Sequence, residues 1–259
     1  MRKKHIKEKC KKIRIWVNDM EKKMNEKEMN DIFLKGDNEA VVNYNTNRKV
    51  LIVSGGSLDY EWAREWLADK QFDYVIAADS GLMYADKLEL QVDYILGDYD
   101  SVKSDILEKY SKKIETVTYP TEKDYTDTHI AVLTAIRNGA ASIAIIGATG
   151  TRYDHAMTNI FVLKEAIDKD VECAIYDACN KIYLKQAPFS IEKDRQYGDY
   201  ISFVPMTDGV RLTLKGVKYP LNDYCLRQGM SICQSNEIVD EVASIYIEKG
   251  IVIVLETRD

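Results

Sequence analysis

Five short runs of apolar residues punctuate the chain from Lys49 onward: Val50–Val53, Tyr74–Ala78, Tyr94–Leu96, Ile114–Val117 and Ser142–Ile146. They lack the alternation of a half-wetted strand, which is how strands covered on both faces read. Between most of them the spacing turns helical, over Leu58–Asp69, Leu82–Lys87, Asp127–Asn138 and Asp154–Asp168. Strand alternating with helix predicts a doubly wound, mostly parallel sheet with right-handed crossovers. After about Asn180 the helical pattern stops. Lys181–Leu184, Tyr200–Val204, Val210–Leu214, Ser244–Glu248 and Val252–Glu256 are strand-like, separated by Asp208-Gly209, Lys215-Gly216 and Lys249-Gly250. Such spacing predicts an antiparallel sandwich or barrel. The expected fold class is therefore α/β, with an α/β domain over 49–180 followed by an all-β, sandwich-like domain over 181–259. The chain has no internal repeat.

Residues 1–48 read as an N-terminal extension. Ile6, Ile13, Val17, Met20 and Met24 fall near helical spacing, which suits a short basic amphipathic helix, and Gly36–Lys49 is a polar, Asn-rich linker. A mobile tail, or a later start at Met20, Met24 or Met29, fits the same residues.

Composition narrows the classes. Across 259 residues, 46 % hydrophobic and 30 % charged side chains describe a folded globular protein rather than a disordered one. No apolar run is long enough to span a bilayer, and the basic N-terminus lacks the apolar core of a signal peptide. Cys10, Cys173, Cys179, Cys225 and Cys233 are an odd set without a C-x-x-C pair, which reads as reduced thiols and a cytoplasmic protein. Lys and Arg number 13 against 8 Asp and Glu over residues 1–48, and 23 against 34 over 49–259. A main body with a net charge of −11 speaks against a nucleic-acid binder.

The acidic residues are placed at strand ends. Asp79 follows the second run, Asp98 and Asp100 the third, Asp124 and Asp127 the fourth, and Asp154 the fifth. Ligands of open parallel sheets bind beyond the carboxyl ends of the strands. Carboxylates gathered there repel one another unless a cation neutralises them, and a hard, oxygen-seeking ion such as Mg²⁺ suits them. Singly, each is also an ordinary loop or cap residue.

Ser54-Gly55-Gly56-Ser57 ends the first run and opens a helix at Leu58, a place where backbone N–H groups can face an anion; a plain strand-to-helix turn looks the same. It matches neither common glycine-rich nucleotide fingerprint. In Lys123-Asp124-Tyr125-Thr126-Asp127, Thr126 reads as an N-cap, with Asp127 in the first turn and Lys123 free to hold phosphate; a capped helix with a solvated charge pair is the plainer alternative. Gly147–His155 again joins strand to helix. Gly150 permits close backbone approach, Arg152 offers a planar fork to phosphate, Asp154 can cap the helix, and His155 can bond a phosphate or ribose oxygen or be structural.

Ser-Gly-Gly-Ser-Leu at 54–58, Ala-Asp-Ser-Gly at 78–81, Gly-Asp-Tyr-Asp-Ser at 97–101, Lys-Asp-Tyr-Thr-Asp at 123–127 and Gly147–His155 occur in the order and spacing of thiamine pyrophosphokinases. Ser235-Asn236-Glu237, followed by a closing hairpin, is similar to that family's second-domain signature. The resemblance covers about residues 49–259 and is silent on 1–48. It implies an α/β catalytic domain, a β-sandwich domain, and a homodimer with its sites between subunits. Asp98, Asp100 and Asp124 then resemble magnesium ligands. Gly55, Gly56, Asp79, Ser101, Lys123, Asp127, Gly150, Arg152, Asp154 and His155 resemble ATP-contacting or catalytic positions, and Ser235 and Asn236 thiamine-contacting ones. Tyr99, Ser80 and Thr151 depart from the family's more common Phe, Gly and Gly.

The implied reaction is attack of the thiamine hydroxyl on the β-phosphorus of ATP, with AMP leaving and Lys123 and Arg152 taking developing charge. Aromatics such as Tyr224 would suit the thiazolium cation. Rival readings are a pyrophosphokinase for another alcohol, such as a hydroxymethylpterin, a nucleotide sensor without turnover, and an aspartyl-phosphate phosphatase built on Asp98 and Asp100.

Overall fold

The computed structural model describes residues 47–97, 102, 104–111, 114, 116–118 and 125–259. The expected elements form, with small shifts at their ends. The strands are β1 (Arg48–Val53), β2 (Tyr74–Ala78), β3 (Tyr94–Gly97), β4 (Thr116–Thr118) and β5 (Ala140–Ile146), and the helices are α1 (Tyr60–Leu67), α2 (Gly81–Lys87), α3 (Ser104–Ser111), α4 (Asp127–Arg137) and α5 (Tyr153–Ile167). Eight further strands follow: β6 (Glu172–Tyr176), β7 (Asn180–Lys185), β8 (Phe189–Glu192), β9 (Tyr200–Pro205), β10 (Val210–Lys215), β11 (Leu221–Leu226), β12 (Val242–Lys249) and β13 (Val252–Thr257). Of these elements, α3, β6, β8 and β11 are additions to the sequence reading. The fold class is mixed α/β, with a large mostly parallel sheet and a smaller antiparallel one.

The larger sheet runs β4-β3-β2-β1-β5-β6-β7-β13-β9 and the smaller one β11-β10-β12-β8. From β4 to β6 every pairing is parallel; from β6 to β9 every pairing is antiparallel. The change of pattern near Asn180 is thus a change of strand direction inside one sheet, with β8 and β10–β12 forming the second layer.

Side-chain alternation explains why two covers are needed. Val50 and Ile52 enter one core with α4 and α5, while Leu51 and Val53 enter the opposite core with α1, α2 and α3. Further along the sheet, Ile182, Leu184 and Ile253 stay on the α4–α5 side. Tyr183, Ile201, Phe203, Val252 and Val254 point the other way, against Val210, Leu212, Ala243 and Ile245 of the smaller sheet. On one face the helix-covered core extends as far as Ile253 of β13. The other changes cover from helices to a second sheet, and Tyr176 touches both cores there. No helix among the described residues is long and apolar enough to cross a membrane.

Chain order reverses between β1 and β5, which lie side by side and feed crossovers in opposite directions. A doubly wound sheet opens its ligand crevice at that point, beyond the carboxyl ends of the strands.

Where α4 meets α5, His129 Nε2 stands 3.4 Å from Glu165 Oε1. Burial pushes the imidazole pKa below its ordinary value, against the upward pull of Glu165. A depressed pKa means that the unfolded chain takes up this proton first as pH falls past about 6.5, so the contribution favours folding above that pH and is lost below it. Thermal melts of the protein and of His129→Gln at pH 7.5 and 5.5 should show a smaller acid-induced loss in the variant.

Candidate active site

Two loops meet at the crevice. Ser54–Leu58 leaves β1 ahead of α1, whose N-cap is Asp59; its Oδ1 accepts from the Glu61 and Trp62 amides at 3.0 and 3.1 Å. The helix therefore starts two residues later than the apolar spacing placed it, and Gly55 and Gly56 sit in a loop proper. Gly147–Thr151 leaves β5. The Gly56 amide donates to Gly147 O at 2.7 Å and the Ser57 amide to Thr149 O at 2.8 Å. A Cβ at Gly56 would lie 2.3 Å from Thr149 O and 2.5 Å from Gly147 O, so only glycine permits this approach. The buried Ser54 hydroxyl pairs with that of Thr128 at 3.0 Å, joining the end of β1 to α4.

The neighbouring strand ends are equally close. Asp79 adopts a left-handed conformation (φ 51°) directly after β2, and its amide donates to Leu96 O at 2.8 Å. Such a conformation in a residue other than glycine is uncommon and clusters at functional sites. At Gly97 (φ 143°) a Cβ would come within 3.0 Å of the Asp79 Cα, so β2 and β3 end against each other.

Thr126 caps α4, accepting the His129 amide at 3.2 Å, and Asp127 lies in the first turn, as the sequence predicts. α5 starts at Tyr153 with Arg152 as its N-cap residue, so Asp154 is a first-turn residue rather than the cap. Arg152 Nε and Nη2 donate to Asp154 Oδ1 and Oδ2 at 3.2 and 2.6 Å. This fork, helped by the His155 amide, holds the Asp154 carboxyl down to about 2. A guanidinium has five N–H donors, so three remain beyond the fork.

Together these parts line a cleft of about 680 Å³ that includes Gly55, Gly56, Asp79, Asp127, Gly150, Arg152 and His155. Its walls carry backbone N–H groups, one exposed arginine and two carboxylates, a set suited to a phosphorylated ligand. Asp98, Asp100, Ser101, Lys123 and Asp124 lie outside the described residues. Among the described residues no cluster of three or more His, Cys, Asp or Glu side chains is disposed to hold a metal. β3 and β4 end side by side, Gly97 opposite Thr118, at the same sheet edge as Asp79.

The cleft also uses residues that motif reading passed over. Asn159 is buried on α5 and donates from Nδ2 to Ala148 O at 2.8 Å, holding the Gly147–Thr151 loop from behind. The available signal was an amide on a helix face shared with Val162, Leu163 and Ala166. Tyr84 and Tyr125 add aromatic wall.

Ser235 and Asn236 stand elsewhere on the same edge, where Asn236 and Ile201 at the start of β9 exchange backbone hydrogen bonds of 2.8 and 2.9 Å. The Asn236 side chain is buried and used internally. Its Oδ1 accepts from the Tyr219 and Glu237 amides at 3.0 Å each, and its Nδ2 donates to Tyr219 O at 2.8 Å. Ser235 is left-handed (φ 49°), its amide donating to Ser202 Oγ at 2.9 Å.

A somewhat larger cavity, about 740 Å³, is lined by Trp66, Phe72, Tyr176, Tyr183, Lys181 and Glu256. Its lining contains no glycine, and its buried Glu256 is already matched by Lys181 at 2.9 Å. The chemistry favours the smaller cleft.

A doubly wound sheet with glycine-rich loops and carboxylates at its switch point, extended by an antiparallel second layer, defines a mixed α/β protein with a polar cleft suited to a phosphorylated ligand. Residues 66–175 match the model of the thiamin pyrophosphokinase catalytic domain, and 188–252 that of the thiamin pyrophosphokinase vitamin B1 binding domain. The chain is 33 % identical over 166 residues to a thiamine pyrophosphokinase of Bacillus subtilis (strain 168), an alignment spanning 63 % of this chain and 77 % of that relative. It is 27 % identical to thiamine pyrophosphokinase 1 of Oryza sativa subsp. japonica, over 67 % and 69 % of the two chains. The crystal structure of thiamine pyrophosphokinase from Bacillus subtilis superposes with a TM-score of 0.73 at 28 % identity, covering 82 % of this chain and 100 % of that one. The chain belongs to the thiamine pyrophosphokinase family, whose members are enzymes.

Gly56→Ala tests the close approach of the two loops. The added methyl must push one loop away, and a displacement of order 1 Å at a positioning element costs up to about 100-fold in rate. Steady-state assays should show kcat/KM at least about tenfold lower, with a cooperative melt retained.

Proposed function

We propose that the chain transfers a diphosphate from ATP to the hydroxyethyl oxygen of thiamine, giving thiamine diphosphate and AMP, with the nucleotide in the β1/β5 cleft. The observation that carries this is the convergence of the laced loops Ser54–Ser57 and Gly147–Arg152 with Asp79 and Asp127 at the switch point. In the reaction the thiamine oxygen forms a bond to the β-phosphorus, the bond to the oxygen bridging α and β breaks, and AMP carries that oxygen away. A cleft carboxylate takes the hydroxyl proton. The Gly55 amide, backbone amides of Gly150–Arg152 and the Arg152 guanidinium hold the phosphates in line, and Arg152 and Lys123 take charge that develops on them.

A magnesium ion suits the donors. Asp79 and Asp127 line the cleft, and Asp98, Asp100 and Asp124 follow closely in sequence the strands that end beside Asp79. Asp98, Asp100 and Asp124 would hold the ion, with Ser101 and His155 near the nucleotide; when bound it neutralises phosphate charge. Asp154 orients Arg152 through its fork. Replacing Asp98 or Asp100 by Asn should abolish Mg²⁺-dependent AMP release and leave the melt unchanged; activity kept in both variants would remove them as ligands.

The two family models, which end at 175 and begin at 188, support the expected division of labour between residues 49–180 and 181–259. Ser235 and Asn236 serve thiamine in this reading, Asn236 by fixing Tyr219 and Glu237. They sit beside β9, four strand steps from β5, or roughly 20 Å at about 4.8 Å per step, farther than thiamine reaches from the cleft. A second copy of the chain would bring its own Ser235 edge to the cleft, which supports a homodimer. Tyr153, Met157 and Phe161, 80, 58 and 50 % exposed, form an i, i+4, i+8 stripe on α5 next to Arg152 and suit that contact. Phe161→Asp should sediment as a monomer and lose thiamine-dependent turnover, whereas a monomeric, fully active parent protein would contradict the dimer. Asn236→Ala removes the hydrogen bonds that fix Tyr219 and Glu237, so it should raise the thiamine KM about three- to thirtyfold and leave the ATP KM nearly unchanged.

Free Cys173, Cys179, Cys225 and Cys233 support a reducing, cytoplasmic setting. Residues 1–48 are proposed to be dispensable for turnover. Incubation with ATP, Mg²⁺ and either thiamine or a hydroxymethylpterin separates the rivals. AMP with thiamine alone supports the assignment; AMP with the pterin alone, or none with either, overturns it.

A further inference from the structure

We propose that Asp177 is a positioning residue for the diphosphate transfer, acting through Thr149 to fix the Gly147–Arg152 loop. The proposal rests on the reading of the β1/β5 cleft as the nucleotide site. Asp177 follows β6 at the same sheet edge and is absent from the cleft wall. Its two carboxylate oxygens divide their work. Oδ2 accepts the Thr149 hydroxyl at 2.9 Å, while Oδ1 accepts the Cys179 amide, the Asn180 amide and Asn180 Nδ2 at 2.9, 2.8 and 2.8 Å. One oxygen is thus locked into the β6–β7 turn, and the other reaches back to the loop.

The anchor is itself held. The Tyr197 hydroxyl donates to Asp177 O at 2.6 Å and accepts Trp62 Nε1 at 2.9 Å, and the Tyr197 amide donates to Glu256 Oε2 at 2.7 Å. Glu256 is buried at the end of β13 and also accepts Lys181 Nζ at 2.9 Å. A continuous set of hydrogen bonds therefore runs along the sheet edge from the cleft through β6, β7 and β13, with a branch to α1. α1 begins two residues beyond the other cleft loop, so both loops are referred to one frame.

Thr149 is the only member of this set that enters the cleft wall. Its carbonyl accepts the Ser57 amide, and its hydroxyl is the link to Asp177. Without that link, the loop is held by its backbone contacts with Gly56 and Ser57 and by Asn159, none of which fixes it toward β6. Arg152, three residues on, would then sample positions off the line of transfer.

Thr149→Val keeps the shape and removes the hydroxyl, and Thr149→Ser restores it. In steady-state assays of the full chain with Mg²⁺-ATP and thiamine, Thr149→Val should lose at least about fivefold in kcat. Its thiamine KM should stay within about twofold and its melting temperature close to that of the parent. Thr149→Ser should recover most of the loss. Tyr197→Phe, which touches nothing in the cleft, should lower kcat in the same direction. A kcat in Thr149→Val within a factor of about two of the parent, or a serine variant as slow as the valine one, overturns the proposal while leaving the site assignment standing. No AMP release from the unaltered protein overturns both.

Discussion

The site depends on two backbone hydrogen bonds, from Gly56 to Gly147 and from Ser57 to Thr149, that hold the loops after β1 and β5 against each other. Backbone groups at the end of a parallel sheet have lost their ladder partners, and buried ones must find others. Here each loop partly satisfies the other. That requires a residue without a side chain at position 56, because the carbonyls stand where a Cβ would go. The lacing brings the two loops into one wall against which a polyphosphate can be positioned.

Everything further out maintains that wall. Both faces of β1 are buried, by α4 and α5 on one side and by α1–α3 on the other, so the strand cannot slip without exposing Val50 and Ile52 or Leu51 and Val53. Along the sheet, the second layer replaces the helices and packs on Phe203, Val252 and Val254. The result is a single edge with the Gly56 and Gly147 loops at one end and the Ser235–Asn236 turn at the other. In the proposed reading, nucleotide and acceptor are served by different strands of this one edge.

Much of this was legible in the sequence. Unalternating runs gave β1–β5, because strands buried on both faces carry a strong signal, and Thr126 marked the start of α4 by cap chemistry alone. The exceptions have physical causes. β11 is an edge strand containing Asn222 and Asp223, poor strand formers whose place is set by pairing with β10. β8 is also an edge strand and only four residues long. The change at Asn180 was visible, but sequence periodicity cannot tell a new domain from antiparallel strands added to an existing sheet. In the site, Asp59 was missed as a cap because Leu58 extended the apolar pattern. Asn236 was legible as a polar residue of interest, yet its amide is consumed by Tyr219 and Glu237. Asn159 and Asp177 were passed over because their roles exist only once loops distant in sequence are brought together.

The central claim is that the laced loops form the polyphosphate wall. A crystal structure of the full chain with Mg²⁺, thiamine and α,β-methylene-ATP tests it most directly. The account predicts phosphate oxygens within hydrogen-bond distance of the Gly55 amide and of backbone amides in Gly150–Arg152, with the thiamine hydroxyl oxygen in line with the β-phosphorus. Nucleotide lodged instead in the larger cavity against Trp66, Tyr176 and Tyr183, with both loops untouched, would contradict it.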